Sequence, residues 1–474
     1  MRGMEMQSHA CLLLLLLVIV LIILSPLHSQ SAATITNGTA DGSERWGYVQ
    51  VRPKTHLFWW YYKSPQRVSS PANPWPTILW LEGGPGASGI GQGNFVEGVG
   101  PLDANLNPRN STWLSMADLI FVDFPVGVGY SYAEDPSMMV TSDLEAVSDA
   151  MALLEALVQE IPTLPGGSPL FLVGESYGGK FAAMIGVAVT RAIRAGTINL
   201  TLGGATMRSC NSTQQFANPE HNTSLMSYPW LLTAVSRLDD INFGKAIQIA
   251  HMLKQQTDAE QFTAALKTFI DIFDLISSSS GYVSIYNFMT DNSMDPFAPS
   301  GFAPRFLPSG KNNSLLVSSS NSSSTIIDDI MNGVIKQKLK IIPKDLVWQD
   351  ASLAVFESLS NDFMRPAIEQ VDELLSLGVN VTVYNGQLDL ICSTIGAEAW
   401  VRKLKWSGLH DFLMVPRKPI HNCKPGYLTN GFVRSYKNLH FYWVLGAGHY
   451  VAVDQPCTAK YIIGIITRSP ASGT

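Results

Sequence analysis

Leu170-Phe171-Leu172-Val173-Gly174-Glu175-Ser176-Tyr177-Gly178-Gly179-Lys180 is the stretch from which the fold can be read. An apolar, strand-like run enters a Gly-x-Ser-x-Gly turn, and a helix-compatible run from Phe181 to Arg194 leaves it. That is the pattern of a nucleophile elbow, in which a serine sits at a tight strand-to-helix turn with its hydroxyl clear of the backbone. Glycines flanking Ser176 suit such a turn, because a side chain beside it would clash and glycine tolerates its dihedrals. The pentapeptide alone is a weak signal, and a glycine-rich turn without chemistry is the alternative. The strand before it and the helix after it strengthen the first reading.

Outward from the elbow, similar units recur. Trp46 to Arg52 and His56 to Tyr62 read as β-rich runs, and Thr77 to Leu81 as a short buried strand leading into Gly83-Gly-Pro-Gly86. Leu119 to Asp123 is a strand ending at Pro125-Val-Gly127. Thr141 to Glu160 carries a helical stripe of Leu144, Val147, Met151, Leu154 and Val158. Continuous apolar strands alternating with helices predict an α/β fold with a mostly parallel sheet covered on both faces. From about residue 210 to 345 the periodicity weakens and Ser- and Pro-rich tracts appear, with helices expected over Lys245 to Phe273 and Ile326 to Leu339. Beyond it, Ala351 to Leu377 reads as helix, Asn380 to Tyr384 and Asn438 to Leu445 as strands, and Thr458 to Thr467 as the last helix. The organisation expected is a signal peptide over 1–30, a first core part over 31–209, a mainly helical insertion (cap) over 210–345 and a second core part over 346–474. A linker between two domains is the alternative for 210–345.

The chain has 474 residues, 46% of them hydrophobic and 15% charged, so it can bury a large core. A net charge of -6 with no basic run argues against a nucleic-acid partner. Arg2, the unbroken apolar run Cys11 to Leu24, and then Ser25-Pro26 describe a secretory signal peptide, with no membrane association expected after cleavage. Sequons at Asn37, Asn110, Asn199, Asn211, Asn222, Asn312, Asn321 and Asn380 agree with entry into the secretory pathway. An extracellular, vacuolar or lysosomal location follows as the expectation. Without Cys11, the cysteines Cys210, Cys392, Cys423 and Cys457 allow three full pairings, and sequence does not choose among them. No CxxC or His/Cys cluster has metal-ligand spacing, so neither metal nor cofactor is expected.

A serine nucleophile needs a base, a carboxylate to orient that base, and N–H donors for the oxyanion. In an α/β-hydrolase the order is Ser, Asp, His, with acid and base on loops after late strands. Asp389 follows the strand ending at Tyr384, and His449 follows the strand ending at Leu445. Order and placement both fit Ser176, Asp389 and His449. Several blocks then resemble the serine carboxypeptidases: Trp80-Leu-Glu-Gly-Gly-Pro-Gly-Ala-Ser88, Phe121-Val-Asp-Phe-Pro-Val-Gly-Val-Gly-Tyr-Ser131, Gly174-Glu-Ser-Tyr-Gly178 and Gly448-His-Tyr-Val-Ala-Val-Asp-Gln-Pro456. Trp46 to Pro53, Trp400 to Trp406 and Ser435 to Trp443 look like the retinoid-inducible branch and its plant serine carboxypeptidase-like relatives.

The resemblance implies an α/β-hydrolase fold with Ser176 as nucleophile, His449 as general base and Asp389 as its orienter. It places the oxyanion hole at the backbone N–H groups of Gly84 and Tyr177. It also implies that Glu82 and Glu175, with Trp80 nearby, bind the free C-terminal carboxylate of a peptide or protein substrate. Such binding by neutral donors needs a protonated acid and favours acid pH. Family members are often dimers, so a homodimer is raised as well. Three departures stand out. Glu82 replaces the family's asparagine, which predicts carboxylate binding that is weaker or confined to lower pH. Tyr450 and Ala452 replace methionine and proline. Met207 to Leu225 lacks the family's usual segment. Cys392 aligns with a cysteine that is usually free. The leading expectation is a glycosylated serine carboxypeptidase working through an acyl-enzyme. An acyltransferase using the same triad and a catalytically impaired, chaperone-like homologue are the alternatives.

Overall fold

The computed structural model describes residues 34–68, 70, 73–209, 227–292, 323–421, 423 and 428–473. The signal peptide, Cys210, Asn211, Asn222, Asn312, Asn321 and most of the divergent 207–225 segment lie outside them. Among the described residues twelve strands form one sheet. They are β1 (Thr34–Gly38), β2 (Glu44–Arg52), β3 (Thr55–Tyr62), β4 (Thr77–Leu81), β5 (Asp118–Val122), β6 (Tyr132–Ala133), β7 (Leu170–Ser176), β8 (Leu202–Ser209), β9 (Val381–Gly386), β10 (Lys418–Ile420), β11 (Gly431–Tyr436) and β12 (Leu439–Val444). Their order is β1-β2-β3-β5-β4-β7-β8-β9-β12-β11-β10, with β6 pairing β3. The central strands from β5 to β12 are parallel, and the pairs outside them are antiparallel. This is the α/β-hydrolase fold.

The apolar runs are continuous because both faces are covered. Alternate residues of β9 and β12 enter opposite cores: Tyr384, Tyr442 and Val444 pack with Trp80, Phe121 and Val173. Val381, Val383, Phe441 and Trp443 pack with Ala205 and Met207 on the other side. Each such large apolar side chain contributes about 1.5–3 kcal/mol by leaving water.

Helix α1 (Asp143–Glu160) starts where Ser142 accepts a hydrogen bond from the Glu145 amide, and α2 (Tyr177–Ala195) follows β7 directly. The stripe on α1 differs from the expectation: Leu144 is 72% exposed, and the buried face is completed by Ala146, Ala150, Leu153 and Leu157. Small alanines carry the close contacts, and hydropathy spacing underweights them. Between β8 and β9 come α3 (Ser227–Ala234), α4 (Asp240–Asp258), α5 (Phe262–Ser279), α6 (Ser323–Ile330) and α7 (Lys336–Leu339). The expected helix over Lys245 to Phe273 is thus two, broken where Glu260 takes a left-handed φ of 56°. The expected helix over Ala351 to Leu377 is three: α8 (Leu353–Ser358), α9 (Ser360–Phe363) and α10 (Ile368–Ser376). Pro366 disfavours helix in the residue before it and separates the last two. Strand β8, which joins β7 to β9, was invisible to hydropathy because Gly203-Gly204 dilutes its pattern.

Candidate active site

The strand-to-helix turn at the end of β7 holds Ser176 at φ 51° and ψ -124°, a conformation outside the common basins for a side-chain-bearing residue. Two glycines let backbone pack on backbone around it. A Cβ on Gly178 would strike the carbonyl of Leu81 at the end of β4, and one on Gly83 would lie 2.6 Å from the Ser176 Cβ and 3.0 Å from the Glu175 carbonyl. The Gly-rich loop after β4 is held from outside by a backbone splint: Ser88 donates to the Asp350 carbonyl at 3.0 Å, and Ser352 donates to the Gly86 carbonyl at 2.9 Å. Gly83→Ala therefore meets the Ser176 Cβ, which is fixed to the backbone and has no free rotation to escape, so Ser176 must move. We expect at least a ~100-fold fall in kcat, the scale of an ångström's misplacement of a reacting group, checked by steady-state assay beside a thermal melt.

The loops after β9 and β12 bring in the other two residues. His449 Nδ1 lies 2.8 Å from Asp389 Oδ2, and Asp389 Oδ1 accepts the Cys392 amide at 2.9 Å, so both carboxylate oxygens are committed. The segment between α5 and α6 splints both loops. The Tyr286 carbonyl accepts the His449 amide at 2.7 Å, the Ile285 carbonyl accepts the Ile391 amide at 2.9 Å, and Phe288 donates to the Leu388 carbonyl at 3.0 Å. Ser176, His449, Gly84 and Tyr177 line one pocket with Glu82 and Glu175. Tyr177 is the first residue of α2, so its N–H has no acceptor within the helix.

The outer nitrogen of the imidazole holds a surprise. His449 Nε2 is 2.8 Å from Glu175 Oε1, which places the ring between two carboxylates. Burial by itself would lower the basicity of the ring. The charges of Asp389 and Glu175 and their hydrogen bonds overcome that and raise its pKa to about 10. In the free protein the ring is thus an imidazolium at neutral pH.

Glu175 also belongs to a second group. Carboxylate oxygens of Glu82, Glu97 and Glu175 lie within 4.8 Å of one another, and all three residues are buried. Burial first, then the charges of Glu97 and Glu175 and a hydrogen bond with Glu175, push the Glu82 pKa well above the usual carboxylate range. Glu82 accepts from the Gly83 amide at 3.1 Å and from the Trp80 indole at 2.9 Å. Trp80 itself stands behind Glu82 and does not line the pocket. Glu97 was missed by sequence reasoning. Its signal was a carboxylate following the apolar pair Phe95-Val96, a buried acid in need of partners. Also unforeseen were Gln92, Phe269, Tyr286, Phe363 and Ile391 on the wall. Tyr450, noted as a departure, lies there too, with its ring 5.4 Å from those of His449 and Tyr286. Among the described residues two trios have metal-ligand spacing, the three glutamates and Asp389, Cys392 and His449. In the second, Cys392 is disulfide-bonded and both ring nitrogens of His449 face carboxylates, which leaves no ligand atom open.

The cysteines correct one expectation. Cys423 is bonded to Cys457, and Cys392 is disulfide-bonded rather than a free thiol. Of the described sequons, Asn37, Asn110 and Asn199 are exposed. Asn380 is half-buried, with its side-chain nitrogen donating to the Gly203 carbonyl at 3.2 Å, so a glycan there would break that bond.

Comparison with known proteins places this site in a lineage. The sequence model of the serine carboxypeptidase family matches residues 35–468. The chain is 49% identical to serine carboxypeptidase-like 51 of Arabidopsis thaliana over 91% of this chain and 93% of that protein. It is 37% identical to the retinoid-inducible serine carboxypeptidase of Mus musculus over 98% of this chain and 100% of that protein. A crystal structure of a prohormone-processing carboxypeptidase from Saccharomyces cerevisiae superposes with a TM-score of 0.71 at 21% identity, covering 90% of this chain and 91% of that one. With an α/β-hydrolase sheet, a serine elbow and a family match over nearly the whole described chain, this protein belongs to the serine carboxypeptidase family.

Proposed function

We propose that the protein is a serine-type carboxypeptidase of the secretory pathway that releases C-terminal amino acids through an acyl-enzyme, favoured at acid pH. The observation that carries this reading is the meeting, in one pocket, of an elbow serine, a histidine–aspartate pair and a buried trio of carboxyls. The trio gives the reading its exopeptidase character. Hydrogen-bonded acids that retain protons can donate to a substrate's terminal carboxylate, whereas ionised ones repel it. Among the described residues no helix is long and apolar enough to cross a membrane.

The mechanism follows from the two partners of Glu175. As the terminal carboxylate joins the trio, Glu175 takes the Nε2 proton of His449 and turns, now protonated, to donate to the substrate carboxylate beside Glu82, which leaves His449 Nε2 a neutral base. The Ser176 oxygen attacks the last peptide carbonyl as its proton passes to His449. The oxyanion lies between the N–H groups of Gly84 and Tyr177, and His449 then protonates the departing amine. Water repeats the sequence on the ester, restoring Ser176 and freeing the shortened chain.

The test is hydrolysis of N-blocked dipeptides with free and amidated C-termini from about pH 4 to 7, the range that titrates carboxylates. Turnover of the free acids that fades as pH rises and is lost in Ser176→Ala is the expected result. Turnover that requires an alcohol acceptor would instead mark an acyltransferase, and no serine-dependent turnover at any pH would overturn the reading.

A further inference from the structure

Helix α2 buries a cation that the mechanism above does not use. Lys180 lies one turn beyond Ser176, and its side chain is 3% exposed. Its ammonium has three donors, and three acceptors from three elements surround it. They are Asp143 Oδ2 of α1 at 2.6 Å, the Tyr177 phenol oxygen at 3.1 Å and the Asp362 carbonyl of α9 at 2.6 Å. Asp143, equally buried, accepts the Tyr177 O–H at 2.9 Å. The Asp143 amide donates to the Asp362 carboxylate at 2.8 Å. One ion pair thus joins the first turn of α1, the helix carrying the elbow, and α9.

Removing a lysine and an aspartate from water is expensive, and apolar residues of similar size serve stability as well or better. What the pair supplies is register. Next to Asp362 is Phe363, whose ring stacks on Tyr177 with centroids 5.6 Å apart and planes 20° apart. Phe269 of α5 meets Phe363 at 5.7 Å. These three rings form an apolar wall of the active-site pocket, distinct in chemistry from the wall made by the glutamates. Among the described residues the polar links from Tyr177 to α9 run through the side chains of Lys180 and Asp143, so without that pair the stacked rings could slide over one another at little cost.

We propose that Lys180 and Asp143 are positioning residues that fix the Tyr177–Phe363–Phe269 wall against the elbow, so that the wall grips a large apolar side chain on the acyl side of the bond being cut. The assignment to the acyl side rests on the carboxypeptidase reading, in which the glutamate wall holds the leaving residue. Tyr177 has a double position here. Its N–H, fixed in the backbone at the start of α2, serves every substrate, whereas its ring belongs to the wall, so a slack wall loosens the placement of an acyl group large enough to reach the rings. The loss then falls on kcat for large acyl groups more than on KM, and small acyl groups, which do not reach the rings, lose little.

The experiment compares N-blocked phenylalanyl and alanyl substrates with a shared leaving group in two series. One series is dipeptide free acids, and the other is p-nitrophenyl esters, which need no terminal-carboxylate binding. The variants are the double replacement Lys180→Met with Asp143→Leu, which removes both charges together, and Tyr177→Phe, which keeps the ring and deletes only the phenol oxygen. Titration of Ser176 with a fluorophosphonate counts intact elbows in each. The double variant is expected to lose at least ~10-fold of its phenylalanyl-over-alanyl preference, through kcat, and Tyr177→Phe about 3-fold, the scale of a few tenths of an ångström in placement. A preference unchanged within about twofold in a titratable double variant overturns the proposal. Should the double variant give no titratable serine, an unchanged preference in Tyr177→Phe overturns it. Failure of the free acids alone, with the ester series behaving as stated, counts against the carboxypeptidase reading and leaves the positioning role standing.

Discussion

Asp389→Asn is expected to lower kcat by about 10⁴-fold, or about 5 kcal/mol of transition-state stabilisation, while the protein stays folded. The size of the effect follows from which way the new amide faces. The Cys392 amide donates to Asp389 Oδ1 at 2.9 Å in a buried site, and it still needs an acceptor after the substitution. The asparagine oxygen therefore stays on that side, and its NH₂ group turns to His449 Nδ1. Nδ1 must then accept, which forces the ring proton onto Nε2, the atom that has to take the proton of Ser176. The imidazole also loses one of the two carboxylates that hold its pKa near 10. Single-turnover kinetics with an activated ester would measure the acylation step directly, and nitrogen-edited NMR of the imidazole would show the tautomer. A fall of less than about tenfold would mean that Asp389 does not orient the base.

The second large effect concerns the residue that departs from the family pattern. Glu82→Gln is expected to leave KM for a free-acid dipeptide nearly unchanged at about pH 4.5 and to lower it at least ~10-fold at pH 7. At acid pH the Glu82 carboxyl is protonated, held so by burial and by Glu97 and Glu175, and acts as a neutral hydrogen-bonding group much like an amide. As pH rises Glu82 loses its proton, and the charge gained beside Glu97 and Glu175 repels the substrate carboxylate. The amide removes one of three ionisable members, and its single oxygen keeps one of the two donors, Trp80 or Gly83, which use different oxygens of Glu82. The fall in affinity with pH should therefore be shallower in the variant. For the amidated substrate, which brings no carboxylate, the two proteins should have parallel profiles. KM profiles for the two substrates decide it, and parallel free-acid profiles would remove Glu82 from the carboxylate site.

The elbow was legible in sequence because its requirements are local. A strand, a turn that excludes side chains and a helix must follow one another within about twenty residues, and glycine marks where no Cβ fits. Asp389 and His449 were legible through order and position after strands, since parallel strands end at one edge of the sheet and deliver their loops to one place. The wall of aromatic rings and Glu97 were not legible. Phe269 and Phe363 come from α5 and α9, helices that reach the pocket only after long excursions from the sheet, and a phenylalanine on an amphipathic helix carries no mark of where its face will dock. On α1 hydropathy found Val147, Leu154 and Val158 of the buried stripe but also took in the exposed Leu144 and passed over Ala146 and Ala150, because close packing selects alanine, which scores weakly as an apolar residue.

The sequence by itself determined the class of fold, the nucleophile and the chain order of its partners, because these are written in short-range patterns and in the repetition of buried strands. Only the tertiary structure decided that Glu175 bridges His449 and the glutamate trio, and that Lys180 is buried in an ion pair with Asp143. Both are electrostatic facts about groups distant in sequence. The charge a buried residue carries is set by what the fold places within a few ångströms of it, and no local pattern encodes that distance.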